Sequence, residues 1–433
     1  MDNAAATALA CNQRFSPQRI SCGRQSPCAT KVCLYSHDTF GLGHLRRNLA
    51  IAEQLLRREG RFTVWLLTGS PVIRSWRLPR ALHVQPLPPV VKTGAERYAA
   101  RMPGHTFCLT KGYREALILK LVTQERPDVL LVDHAPAGMK GELLPTLALL
   151  RNELPQTRIV LGLRDILDAP AAVRQLWQEQ EIFELIEHAY DDVLVYGSED
   201  LFDVIENYGL PEGIASKVRY CGHVVGREWR EEESGHCARG VCWDDQRACG
   251  RPVVLVTAGG GGDGFVLMEA YLRSLRLFSS DGFHSVLVAG PLMPSEAYAR
   301  LALAATQANV QLVSYTTDLM PSIRAASLVV SMAGYNTSVE LLAARKKAIL
   351  VPRGSPREEQ KLRAAQLARR GLASCVEADG ELPGRLAVLV PQMLAAKPAG
   401  EAVWDSVNLR GADRVAEYLA SVTQAAPRRA GVS

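Results

Sequence analysis

The chain has 433 residues, 47% of them apolar, with 50 Lys and Arg against 45 Asp and Glu, and a formal charge of +5. This length exceeds one ordinary hydrophobic core, so we expect two or three domains. The charge is too small to indicate nucleic acid as a partner. No apolar run reaches the ~18 residues that span a bilayer, and residues 1–30 lack a secretory signal, which predicts a cytoplasmic protein with reduced cysteines.

The first half alternates short apolar strands with amphipathic helices. Residues 1–30 show no periodicity and are predicted to be a disordered tail. A strand is predicted at 31–35, then a turn containing Gly43 and His44, then a helix over 45–58. Later strands are predicted at 63–67, 128–133, 158–163, 192–196 and 218–223, and helices at 113–125 and 173–188. The alternation predicts a parallel α/β sheet in an N-terminal domain over residues 31–226.

Residues 71–104 interrupt this alternation, because they are rich in Pro and basic residues and include Trp76. One interpretation is a solvated surface excursion. The other is a loop on the acceptor side that touches anionic lipid head groups, which would place the protein at the inner face of a membrane.

Residues 227–251 are charged and have no apolar period, so we interpret them as an interdomain linker. Cys237, Cys242 and Cys249 lie in this segment with the spacing C-x4-C-x6-C. That spacing fits no zinc pattern well, so no metal site is predicted.

The α/β pattern then starts again and predicts a C-terminal domain over residues 252–398. Strands are predicted at 252–257, 285–289, 310–313 and 328–332, and helices at 265–277, 294–306, 318–325, 360–370 and 383–395. A final amphipathic helix at 409–420 lies in a C-terminal segment, 399–433.

Two motifs in this second half indicate phosphate binding. Four consecutive glycines, 259–262, directly follow a strand, where the backbone can approach a ligand closely. They match neither a Walker loop nor a dinucleotide fingerprint. In residues 328–360, a turn at Ala333 and Gly334 precedes a helix from about Asn336, whose N-terminus is suited to a pyrophosphate.

These motifs resemble the GT-B glycosyltransferases, and most closely glycosyltransferase family 28, over about residues 31–395. The family has a turn glycine, a Thr, and a Glu six residues beyond the glycine, and here Gly334, Thr337 and Glu340 occupy those places. Ala333 stands where the family has Ser. The resemblance implies two Rossmann-like α/β domains with a cleft between them.

The resemblance also implies a nucleotide-diphosphate sugar donor, UDP-linked, bound mostly to the C-terminal half as a substrate rather than a cofactor. The residues implied to contact its phosphates, ribose, base and sugar are Gly43, Gly259, Gly260, Gly261, Gly262, Tyr315, Thr316, Gly334, Tyr335, Asn336, Thr337, Glu340, Glu359 and Gln360.

The acceptor hydroxyl needs a base, and His44 has a suitable intrinsic pKa and stands where the family has a histidine facing the reacting centre. Asp133 would orient His44; alternatively, Asp133 and His134 are the working pair, and Asp38 is a third candidate. Arg46 and Arg47 replace small apolar residues of the family, which predicts a more cationic acceptor mouth.

The resulting hypothesis is a metal-independent, inverting transfer of a sugar to an acceptor hydroxyl. The acceptor is left open and includes polysaccharide and lipid-linked molecules. Two alternatives also stay open: a nucleotide-sugar hydrolase or epimerase on the same scaffold, and a non-catalytic nucleotide-sugar binding protein.

Overall fold

In a computed structural model, the protein consists mainly of two parallel β-sheets covered by helices. This architecture confirms the predicted α/β class. The structure describes residues 29–37, 43–75, 78–92, 97–101, 104–226, 250–278, 280, 282–316, 318–354 and 357–425. Most of the tail predicted over 1–30, Asp38, Trp76 and most of the predicted linker, with its three cysteines, lie outside these residues; Thr30, at the end of the predicted tail, begins the first strand.

The first sheet has seven strands in the order β3-β2-β1-β6-β7-β8-β9. Its strands are β1 Thr30–Ser36, β2 Phe62–Thr68, β3 Leu82–Pro86, β6 Val129–Asp133, β7 Arg158–Arg164, β8 Asp192–Tyr196 and β9 Val218–Tyr220. Helices cover both faces, so the central strands β6 and β8 are buried at every residue. A separate antiparallel hairpin pairs β4, Val90–Lys92, with β5, Tyr98–Ala100.

The described residues of this half form the α-helices α1 Gly43–Leu56, α2 Phe107–Glu125, α3 Leu144–Glu153, α4 Pro170–Glu179, α5 Ile182–Ala189, α6 Val204–Tyr208 and α7 Glu212–Ala215. Helix α2 begins earlier than predicted because the Thr106 side chain caps it, accepting a hydrogen bond of 3.2 Å from the Leu109 amide. The helix predicted at 173–188 is two helices, since Glu181 has a φ of 53° and ends the helical path.

The segment at 71–104 is more ordered than a surface excursion. It contains β3, which pairs in parallel with β2 at the edge of the sheet, and the β4-β5 hairpin. An edge strand tolerates proline and partly exposed side chains, which is why its sequence lacks an apolar pattern.

The second sheet has six strands in the order β12-β11-β10-β13-β14-β15. Its strands are β10 Val253–Thr257, β11 His284–Val288, β12 Gln311–Val313, β13 Leu328–Ser331, β14 Ala348–Leu350 and β15 Ser374–Cys375. Its helices are α8 Phe265–Ser274, α9 Ser295–Gln307, α10 Met320–Ala325, α11 Tyr335–Ala343, α12 Glu359–Arg369 and α13 Leu382–Ala395.

Both sheets reverse their strand order next to their first strand. In the first sheet, β1 pairs with β2 on one side and β6 on the other; in the second, β10 pairs with β11 and β13. At such a switch point the loops leave in opposite directions and open a crevice at the carboxyl ends of the strands. The segments after β1, β6, β10 and β13 are those in which the sequence placed candidate site residues.

The end of the chain returns to the first half. After α14, Glu401–Asp405, helix α15, Gly411–Ala425, packs on α1. Val415 and Leu419 of α15 share one buried cluster with Leu45 and Ile51 of α1. None of the helices that the structure describes is both long and apolar enough to cross a membrane.

Candidate active site in a cleft between the two sheets

One cleft collects residues from both halves of the chain. Its lining includes His44 and all fourteen residues predicted to contact the donor. Asp133 is buried, with 1% of its surface exposed, and supports the cleft from behind His44. Their roles remain predictions, but the structure brings these residues together as the switch points require.

The glycine loop after β10 folds against the turn after β11. Gly259 and Gly261 have φ angles of 62° and 87°, a region that side chains rarely adopt. A Cβ on Gly261 would lie 2.1 Å from the Ala289 carbonyl oxygen, so no side chain fits there. The Leu292 amide donates a hydrogen bond of 2.8 Å to the Gly260 carbonyl and fixes the turn. The loop therefore presents bare backbone to the cleft.

Helix α11 points its N-terminus into the same cleft, where it meets the N-terminus of α1. Gly334 precedes the helix, and Asn336 and Thr337 lie in its first turn. A Cβ on Gly43 would lie 3.3 Å from Asn336 Nδ2, which shows how closely the two termini approach. Two helix N-termini at one place favour a bound anion.

Glu340 lies one turn inside α11 and forms an ion pair across the cleft. Its Oε1 atom accepts a hydrogen bond of 2.5 Å from Arg46 Nη1, and its Oε2 atom is buried without a partner among the described residues. Burial raises the pKa of Glu340, and the nearby Arg46 opposes that shift. The carboxylate keeps one free acceptor for a ligand hydroxyl.

Glu359 and Gln360 begin α12 and are both held by Arg353. Arg353 Nη2 donates to Glu359 Oε1 at 2.6 Å, and the Arg353 amide donates to Gln360 Oε1 at 3.1 Å. Glu359 Oε2 is buried and has no partner in the described chain. It is a second carboxylate acceptor facing the cleft.

At the cleft mouth, Tyr315 is 55% exposed. Thr316 turns its hydroxyl toward its own loop, donating to the Asp318 carbonyl at 2.8 Å. The Tyr335 hydroxyl connects the two halves through hydrogen bonds. It donates to the Tyr196 carbonyl at 2.8 Å and accepts from the Val224 amide at 3.0 Å. Only the backbone of Tyr335 is therefore left for the donor.

His44 is held by Asp133. The distance from His44 Nδ1 to Asp133 Oδ2 is 2.6 Å, and a carboxylate accepts there, so Nδ1 donates and Nε2 is the atom that can take a proton. Arg47 Nη2 lies 3.2 and 3.1 Å from the two Asp133 oxygens and 2.9 Å from His44 Nδ1. Asp133 thus orients the imidazole, and the negative charge of Asp133 is shared between His44 and Arg47.

The charges in this cluster are set by burial and by one another. Burial lowers the pKa of His44 to about 4, although Asp133 raises it. Burial raises the pKa of Asp133, but Arg47 and His44 outweigh that effect and hold it at about 2. At neutral pH the imidazole is therefore neutral and the carboxylate ionised, as a general base and its orienting group require.

His134 does not pair with Asp133, whose carboxylate is engaged by His44 and Arg47. It has a φ of 73°, an uncommon conformation for a residue with a side chain, and its ring centre lies 5.2 Å from that of His44. Of the pairs that the sequence left open, the geometry favours His44 with Asp133.

Sequence reasoning did not select several other residues of the cleft lining, among them Arg164, Gly290 and Arg353. Arg164 ends β7, and Gly290 follows β11 with a φ of 96°. These residues could have been selected from the sequence by their position at the carboxyl ends of predicted parallel strands, where ligands bind in such folds.

Comparison with known proteins agrees with this geometry. Residues 253–416 match the glycosyltransferase family 28 C-terminal domain. The UDP-N-acetylglucosamine–N-acetylmuramyl-(pentapeptide) pyrophosphoryl-undecaprenol N-acetylglucosamine transferase of Alkaliphilus oremlandii is 26% identical over 136 residues, which are 31% of this chain and 37% of that protein. Residues 253–416 are therefore similar to the C-terminal domain of glycosyltransferase family 28.

Solved structures extend this similarity in fold to both halves of the chain. MurG of Acinetobacter baumannii aligns over 91% of this chain and 99% of its own, with a TM-score of 0.55 and 15% identity. An Os79 variant from O. sativa, solved in complex with UDP, aligns over 90% and 100%, with a TM-score of 0.61 and 14% identity. The predicted fold and family resemblance are confirmed; at these identities the structures show the fold alone.

Proposed function

We propose that this protein transfers a sugar from a UDP-sugar to an acceptor hydroxyl, with inversion and without a metal ion. The observation that supports this most directly is the pairing of two half-sites in one cleft. His44 and Asp133 come from the N-terminal half, and the glycine loop and the α11 N-terminus come from the C-terminal half.

In the proposed step, the acceptor oxygen attacks the anomeric carbon and gives its proton to His44 Nε2. The bond from the anomeric carbon to the diphosphate oxygen breaks, and UDP leaves with the electron pair. The α11 N-terminus and the backbone of the glycine loop stabilise the charge that develops on the leaving group. One displacement of this kind inverts the anomeric centre. Helix termini and arginine side chains supply positive charge that a metal would otherwise provide.

Donor recognition would divide among the polar groups of the second half. In this proposal the Oε2 atom of Glu340, which has no partner among the described residues, accepts a hydrogen bond from a ribose hydroxyl, and that of Glu359 accepts one from a hydroxyl of the sugar. Tyr315, exposed at the mouth, would pack on the base. UDP is proposed because one solved structure of this fold holds UDP and the curated relative is named for a UDP-sugar.

The test combines binding with product analysis. The protein is first screened for stabilisation by UDP, other nucleoside diphosphates and a set of UDP-sugars, since ligands that bind only the native state raise the melting temperature. UDP release is then measured with candidate acceptors. Release of free sugar without any acceptor would indicate a hydrolase instead, and stabilisation without turnover of any donor would indicate a binding protein.

We further propose that the acceptor is lipid-linked and that the protein works at a membrane surface. The curated relative is named for an undecaprenol-linked acceptor. In this chain Leu109 and Tyr113, one helical turn apart on α2, are 47% and 52% exposed. Flotation with anionic vesicles at low salt should carry the protein upward, and failure to float would count against membrane contact.

A further inference from the structure

Arg164 is a partly buried cation, and the carboxylates of Asp133 and Asp165 near it are paired with other arginines. It ends β7 and lines the cleft, and its Nε atom is buried without a partner among the residues that the structure describes. Asp133 is bound by Arg47, with Nη2 3.1 Å from Oδ2. Arg363 binds both oxygens of Asp165, at 2.7 and 2.9 Å.

Glu359 is the remaining negative group that acts on Arg164, and Arg353 already binds its Oε1 atom at 2.6 Å. The surroundings of Arg164 otherwise carry positive charge. Burial lowers its pKa to about 10, and Arg47 and Arg363 lower it further, yet the guanidinium remains charged at neutral pH. A partly buried cation beside other cations is unfavourable, so an incoming anion would be stabilised at this position.

The place of this cation identifies the anion. Arg164 lines the same cleft as His44 and Glu359, so it lies near both the proposed base and the donor pocket. The negative group that the reaction brings to that position is the leaving diphosphate. A guanidinium fork matches two phosphate oxygens, which a single ammonium does not.

We propose that Arg164 binds a phosphate oxygen of the donor's diphosphate, so that the N-terminal half contributes directly to the leaving-group site. This inference rests on the proposed function. It adds a charged side chain of the N-terminal half to a pocket to which that half already brings Gly43 and the α1 N-terminus, and it makes phosphate binding depend on both halves of the cleft.

The test measures UDP and uridine affinity by calorimetry in the full-length protein and in Arg164→Met and Arg164→Lys. Loss of one charge-assisted hydrogen bond should weaken UDP binding about ten- to a hundredfold in Arg164→Met. Uridine affinity should not change, and Arg164→Lys should regain part of the loss. Arg370→Met is the matched control, because Arg370 pairs with Asp200 at 2.7 Å outside the cleft lining.

The possible outcomes separate the two proposals. If the unaltered protein binds UDP and Arg164→Met binds it equally well, the inference about Arg164 is wrong, and a raised KM for the acceptor would then assign Arg164 to the acceptor. An equal loss for uridine and UDP would also overturn it, since the defect would not concern phosphate. If the unaltered protein does not bind UDP, the proposed function and the inference that rests on it both fall.

Discussion

His44 Nδ1 lies between two groups with opposite requirements. Asp133, 2.6 Å away, needs a proton on that nitrogen, whereas Arg47, 2.9 Å away, would donate to its lone pair. Arg47 can instead donate its hydrogen bonds to the two Asp133 oxygens. The tautomer with the proton on Nδ1 is therefore compatible with the hydrogen bonds of all three side chains.

The first prediction concerns the base itself. His44→Ala should lower kcat by about 10²–10⁴-fold, because positioned general bases typically contribute that much. UDP affinity should stay within a factor of two or so, since the donor half is intact. Steady-state assays and calorimetry on the same preparation check both. A variant that keeps full turnover would remove His44 from the mechanism.

The second prediction concerns pH and involves the charged or titratable groups that face His44 in the described part of the chain: His37, Arg47, Asp133, His134 and Arg164. His44 works only when neutral, so kcat/KM falls as pH drops through its pKa, which is about 4. Arg47→Met removes a cation that lowers this pKa and frees the Asp133 charge that raises it. The acid limb should therefore move to higher pH by about one unit.

A pH-rate profile measures this shift, and Arg47→Lys should largely restore the original acid limb because it retains the charge. Arg47 is buried, so melting curves for both variants separate loss of fold from a change in proton affinity. An unmoved acid limb in a folded Arg47→Met variant would contradict the proposed charge sharing.

At the scale of elements, the glycine loop and the turn after β11 act as one unit. A Cβ at Gly261 would collide with the Ala289 backbone at 2.1 Å, whereas the nearest atom to a Cβ at Gly260 is Leu292 Cδ1 at 3.4 Å. Two adjacent glycines in one loop therefore differ in what they tolerate.

The third prediction follows from that difference. Gly261→Ala should lower the free energy of unfolding by several kcal/mol, roughly the combined cost of a strained φ and a steric clash. Gly260→Ala should change it by less than about 1 kcal/mol. Urea unfolding of the two variants measures both. Equal stability would show that the loop moves freely away from Ala289.

At this scale the sequence predicted much of the site. Gly259–Gly262, Gly334 and His44 each follow a strongly apolar strand, and the rule that sites gather at carboxyl ends places them together. The edge strand β3 was missed because its residues are half exposed and end in Pro86. Arg164 was missed because a basic residue at a strand end is usually solvated, and only the structure shows its neighbours paired with others.

At the scale of the whole molecule, the two halves are joined by buried polar contacts. Arg363 of α12 binds Asp165 of the N-terminal half, and it also donates to the Ala333 carbonyl at 2.9 Å. Arg363 lies within the helix predicted at 360–370. The sequence alone did not predict that the arginine there would connect two domains.

The fourth prediction tests this connection. Asp165→Asn leaves Arg363 buried without its counter-charge, which should cost about 3–5 kcal/mol of unfolding free energy. Arg370→Gln breaks the half-exposed pair with Asp200 and should cost less than about 1 kcal/mol. Denaturant unfolding compares the two. An equal effect would mean that the Asp165 pair is no more important than a surface contact.

The packing of α15 on α1 has a consequence for the order in which the chain is made. Helix α1 carries His44 and Arg47, and its buried face rests on residues 411–425, which a ribosome adds more than 350 residues later. The helix that carries the proposed base therefore has its apolar face uncovered during most of synthesis. Chains that stop before α15 should be both aggregation-prone and inactive, although every residue of the cleft is present in them.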